Sequence, residues 1–136
     1  MRILCYGDSD TYGHDPRSPL GKPYPPDVRW TDRLARATGW EVLNAGLNGR
    51  EIPHLPGELR DAEALFAAAS PFDQAVVFLG SNDMMQGLSA QEVAARMEAF
   101  LGRLTAYPLL LLTPVPMVSG TWVTEERLVT ESAKLA

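Results

Sequence analysis

Cysteine and histidine are scarce in this chain, with one and two copies in 136 residues. A single thiol cannot close an internal disulfide, and it leaves the redox compartment open. Cys5 lies inside an apolar run and reads as a small buried residue. Basic residues are also in deficit, with 12 Lys and Arg against 17 Asp and Glu for a net charge of −5. Binding a phosphate backbone calls for a basic patch, so nucleic acid is not an expected partner. No run approaches the ~20 apolar residues of a membrane span. The opening apolar run is too short for a secretory leader and leads straight into a turn, so a cytoplasmic protein is the default expectation. The chain lacks a Gly-x-x-x-x-Gly-Lys phosphate loop, a Gly-x-Ser-x-Gly elbow and any His/Cys/Asp/Glu set at metal-ligand spacing. No metal or cofactor is therefore expected. There is no internal repeat and no compositional break, so residues 1–136 are expected to form a single domain.

What is present is a repeating order of elements. Ile3-Leu4-Cys5-Tyr6 is a short apolar run that stops at Gly7, as a buried strand ending in a tight turn does. A proline- and glycine-rich loop runs from His14 to Pro26, longer than a simple connection needs. A helix is expected from Asp27 to Gly39, with Val28, Thr31, Leu34 and Ala35 on one face. Glu41 to Asn44 reads as a second strand and Ala45 to Gly49 as its turn. A second helix is expected from about Gly57 to Ala69. Gln74 to Leu79 is nearly continuously apolar, the pattern of a strand covered on both faces. Ser89 followed by Glu92 is a capping box, opening a helix with Val93, Met97, Phe100, Leu101 and Leu104 in a stripe. Leu109 to Leu112 is a fourth strand. A last helix is expected from about Thr124, with the chain ending inside it. Alternating strands and crossover helices imply α/β architecture with a parallel sheet.

Each of the first three strands ends in a glycine-containing turn that also carries a polar group. Ser9 follows the first, Asn44-Ala45-Gly46-Leu47-Asn48-Gly49 the second, and Gly80-Ser81-Asn82-Asp83 the third. In a doubly wound sheet of order 2-1-3-4 these turns meet on one rim, where such sheets bind ligands. The parts suit acyl transfer. A serine hydroxyl attacks an ester carbonyl, and N–H donors stabilise the oxyanion that forms. Gly46 would let a backbone N–H approach closely, and the Asn82 amide donates without titrating.

Gly7-Asp8-Ser9 with Thr11 and Gly13, then Asn44-x-Gly46-x-x-Gly49, then Gly80-x-Asn82-Asp83, resemble the first three signature blocks of the SGNH (GDSL) hydrolases. Tyr12-Gly13-His14-Asp15-Pro16 and Pro26-Asp27-Val28-Arg29-Trp30-Thr31 are similar to the arylesterase and acyltransferase branch of that family. The resemblance extends from residue 1 to about residue 116. It implies a flavodoxin-like α/β/α sandwich and a serine esterase acting on a small-molecule ester. By position, Ser9 is its nucleophile, and Ser9, Gly46 and Asn82 form its oxyanion hole. Tyr12 and Arg50 are candidates for substrate contact.

Two departures stand beside the resemblance. Asp10 follows the serine, where the family usually has an uncharged residue. The family's base, a histidine in an Asp-x-x-His segment after a fifth strand, has no counterpart here. His14 and His54 are the only imidazoles, and His54 lies three residues after Glu51. The expectation is thus a C-terminally incomplete SGNH hydrolase whose fourth strand is an apolar edge, open to pairing with a second copy. The rival expectation is a flavodoxin-like module that binds a small ligand on the same rim without covalent chemistry.

Overall fold

A computed structural model describes residues 1–121 and 123–136. Four parallel strands, β1 (Arg2–Gly7), β2 (Glu41–Gly46), β3 (Gln74–Phe78) and β4 (Leu109–Leu112), form a sheet of order β2-β1-β3-β4. This is the expected order. β1 and β3 are central, and both are almost wholly buried.

Six helices connect and cover the strands among the described residues: α1 (Ser9–Tyr12), α2 (Trp30–Thr38), α3 (Pro56–Ala69), α4 (Ser81–Met85), α5 (Ala90–Gly102) and α6 (Glu126–Ala133). Leu4, Tyr6, Ala75 and Val77 point to one face and pack with Phe66 of α3, Met97 and Phe100 of α5 and Leu128 of α6. Tyr6 meets the Phe66 ring edge-on at 5.4 Å and lies 5.8 Å from Phe100. Ile3, Cys5 and Val76 point to the other face, against Trp30, Trp40 and Val42. The alternation of side chains along each strand thus divides the core between two helical layers, giving a flavodoxin-like α/β/α sandwich. Burial pushes the Cys5 thiol up to about 12, so it is inert at neutral pH.

Several boundaries differ from expectation. α2 starts at Trp30 instead of Asp27, because the N–H groups of Val28 and Arg29 fold back onto the Pro25 carbonyl in a turn. Val28 is consequently exposed instead of facing the core. β2 runs on to Gly46, since Ala45 and Gly46 pair with Tyr6 and Gly7. The last helix closes at Ala133 in turn bonds from Lys134 to Glu131 and from Leu135 to Ser132, short of the chain's end. Two short helices, α1 and α4, stand where the sequence suggested turns. The Ser89–Glu92 capping box is present as read. Among the described residues β4 pairs with β3 alone, and Leu110 is 49% and Leu111 42% exposed.

Candidate active site

Ser9 is the first residue of α1, directly beyond the end of β1. Asp8 caps that helix: its Oδ1 accepts the Asp10 N–H at 2.9 Å. The N–H and Oγ of Ser9 find no protein partner among the described residues. Asp8 is 2% exposed, and burial pushes its carboxyl up to about 6 despite the Asp10 N–H it accepts. Asp10 is the exposed member of the pair, on the first turn of α1. Partial burial nevertheless raises the Asp10 carboxyl, while Asp8 is the carboxylate that meets the Asn82 amide on the rim.

The end of β2 is organised by Asn44. Its amide donates to the Thr11 carbonyl at 2.7 Å and to Thr31 Oγ1 at 2.9 Å, fastening α1 and α2 to the sheet. Its Oδ1 accepts the Gly46 N–H at 2.9 Å, so that N–H is already engaged. A Cβ at Gly46 would lie 2.1 Å from the Tyr12 backbone nitrogen. Glycine is thus required at position 46 for α1 to pack on β2. Gly49, at the tip of the same loop, has φ +76° and open space where a Cβ would stand. Its N–H has no acceptor among the described residues.

Asn82 lies on α4, just past β3. Its Nδ2 donates to the Arg50 carbonyl at 3.1 Å and, more weakly, to Asp8 Oδ2 at 3.4 Å. Beneath it, Asp83 is fully buried and accepts Arg96 Nη1 at 2.8 Å and the Ile52 N–H at 3.0 Å. This ion pair fixes the loop after β2 against α4 and α5. Arg50 donates through Nη1 to the carbonyls of Gly7, at 2.9 Å, and Ala45, while its guanidinium stacks 4.2 Å from the Tyr6 ring centroid. Arg50 thereby clamps the ends of β1 and β2. Tyr12 is half-buried at the end of α1, with its backbone against Gly46.

Neither imidazole bonds to Ser9. His14 Nδ1 pairs with Asn48 Nδ2 at 3.4 Å, and His54 Nδ1 faces the Ile52 carbonyl at 3.0 Å and Glu58 at 3.4 Å. Glu51 pairs with Arg96 at 3.3 Å and not with His54. Among the described residues no group of three or more His, Cys, Asp or Glu could hold a metal ion, and no helix is long and apolar enough to cross a membrane.

The ends of β1, β2 and β3 are therefore joined in one hydrogen-bonded rim, the arrangement the signature blocks imply. The model of the GDSL-like lipase/acylhydrolase family matches residues 5–136. The chain belongs to that family. Its fold is similar to the aryl esterase of M. smegmatis, at 26% identity and a TM-score of 0.82 over 98% of this chain and 75% of that one. It is also similar to a carbohydrate acetylesterase family member from Sinorhizobium meliloti, at 26% identity and a TM-score of 0.82 over 100% of this chain and 75% of the other. No curated protein gives a significant match. Membership in the GDSL-like family makes an ester hydrolase the general class.

Within this GDSL-like chain, sequence reading found the three turns but missed what fastens them. Asn44 was legible only as part of a motif, and the Asp83–Arg96 pair joins residues on separate helices. The one available signal was polarity itself. Asn44 follows the apolar Val42-Leu43 inside β2, and Asp83 stands beside Met84 and Met85.

Proposed function

We propose that the chain is a serine esterase acting on small carboxylic esters through an acyl-enzyme on Ser9. The observation that carries this reading is the free Ser9 hydroxyl and N–H on a rim that also presents the Asn82 amide. In the first step Ser9 Oγ bonds to the carbonyl carbon, and the alcohol leaves with the proton that the serine gives up. Water then hydrolyses the acyl-serine. The carbonyl oxygen, negative in between, is met by the Ser9 N–H, one N–H of the loop after β2, and the Asn82 N–H that the long 3.4 Å contact with Asp8 Oδ2 holds only weakly and can release. Each donor of this kind is typically worth about 3–4 kcal/mol. We assign the loop donor to Gly49 in place of Gly46, because the Gly46 N–H is held by Asn44 Oδ1 while that of Gly49 is free. The similar structures, an aryl esterase and a carbohydrate acetylesterase, favour short acyl groups on varied alcohols.

A general base must come within about 2.6–3.2 Å of the serine hydroxyl. His14 and His54 are both engaged elsewhere. That observation favours a second reading, in which the rim binds a small ligand without turning it over. Treatment with a fluorophosphonate, followed by peptide mass spectrometry, separates the two. Modification of Ser9 that disappears in Ser9→Ala supports the esterase reading. An unmodified Ser9 in folded protein supports the binding module.

A further inference from the structure

Beside the rim, a groove of about 370 Å³ lies between the loop after β2 and α3. Tyr6, Gly49, Arg50, Glu58, Asp61 and Leu65 are among its walls. It adjoins the Ser9 rim through Arg50, whose guanidinium lines the groove while Nη1 holds the Gly7 carbonyl and whose own carbonyl takes the Asn82 amide.

Tyr6 is only 3% exposed, and its hydroxyl has no protein hydrogen-bond partner among the described residues. That oxygen is not sealed from solvent, so what enters the groove, water or ligand, can hydrogen-bond it. Arg50 commits Nη1 to backbone carbonyls, leaving Nε and Nη2 as donors without a protein acceptor among the described residues. Asp61 supplies a carboxylate with no ion pair among the described residues, and Leu65 an apolar wall. The groove thus offers donors, acceptors and apolar surface together. Glu51, Glu58 and Asp61 all line it against the single guanidinium of Arg50, which disfavours an anion. The volume is near the lower end of the ~300–1,000 Å³ range of small-molecule sites, enough for one ring.

We propose that this groove binds a neutral polyhydroxylated ring of monosaccharide size, the alcohol portion of the ester cleaved at Ser9. Its place in catalysis rests on the esterase reading, whereas its binding chemistry does not. The test is an amide-resolved NMR titration of the whole chain with D-glucose, D-glucuronate and benzyl alcohol. Glucose is expected to give saturable shifts at Tyr6, Gly49, Arg50 and Asp61. Tyr6→Phe and Asp61→Asn should each weaken it about fivefold, one hydrogen bond's worth, while the spectra remain folded. Glucuronate should bind more weakly than glucose. Absence of saturable shifts at these residues up to about 100 mM glucose overturns the proposal. So does benzyl alcohol binding there more tightly than glucose, or both variants binding as well as the parent. Ser9→Ala keeps the groove and should bind glucose unchanged. Sugar binding without Ser9 modification therefore removes the esterase reading alone, and Ser9 modification without sugar binding removes this proposal alone.

Discussion

The Asn82 amide stands between Asp8 and Arg50, 3.4 Å from the Asp8 carboxylate and 3.1 Å from the Arg50 carbonyl. With the Arg50 side chain on Gly7 and Ala45, these contacts join the ends of three strands. The rim is held by polar groups that touch one another, so each can be tested through its neighbours.

Asp8 makes stability depend on pH. Its folded pKa, about 6, is raised above the ordinary carboxylate value chiefly by burial, with Asp10 and Asp83 adding repulsion. A raised pKa means that its contribution is fully present below about pH 4 and is lost as pH rises through 6. Asp8→Asn cannot ionise and escapes that loss. Measured by urea unfolding, the variant should gain on the parent between pH 4 and pH 7.5 by up to about 3 kcal/mol. Any fixed effect of setting one amide against the Asn82 amide cancels in the difference. A gap that does not change with pH contradicts the assignment.

Arg96 neutralises a carboxylate that has no access to solvent. Arg96→Met should destabilise the fold by about 3 kcal/mol at neutral pH, since it leaves Asp83 charged and buried. Adding Asp83→Asn should recover part of that loss. A double variant as unstable as the sum of the two singles shows that the pair is not coupled.

Gly46 and Gly49 should respond differently to alanine. At Gly46 the methyl would enter the Tyr12 backbone, so Gly46→Ala should cost several kcal/mol or prevent folding. At Gly49 only the positive φ is strained, and Gly49→Ala should cost about 1 kcal/mol. Thermal unfolding of the two variants decides this, and equal losses would contradict the packing role given to Gly46.

Arg50→Ala removes two hydrogen bonds to backbone carbonyls and the contact with the Tyr6 ring. A loss of about 2–3 kcal/mol is expected in urea unfolding. Arg50→Lys should recover less than half of it, because an ammonium cannot reproduce the planar fork. Full recovery by lysine would mean that charge alone holds the strand ends.

The sheet was legible because its central strands carry their own signals. The apolar runs ending at Gly7 and Gly80 gave the strands, and the alternation of elements gave the parallel order. The far end of β2 was not legible, since Asn44, Ala45 and Gly46 are poor strand formers that extend only because β1 lies beside them. Helices α1 and α4 have four and five residues, too few for a 3.6-residue period to appear. At the rim, the spacing of Ser9, Asn82 and the glycines could be read, but not which N–H groups are already used. That depends on Asn44 Oδ1 reaching forward to the Gly46 N–H at the end of β2, a contact that no pattern in the residues signals. Similarly, Arg50 follows a glycine turn in the sequence, and nothing there shows that its Nη1 also ties the ends of β1 and β2.

The most direct measurement is a crystal structure of the protein after reaction with a fluorophosphonate. The account predicts phosphorus bonded to Ser9 Oγ, with the phosphoryl oxygen within about 3 Å of the Ser9 nitrogen, the Gly49 nitrogen and Asn82 Nδ2. A phosphoryl oxygen turned to solvent, or held by none of these donors, would contradict it.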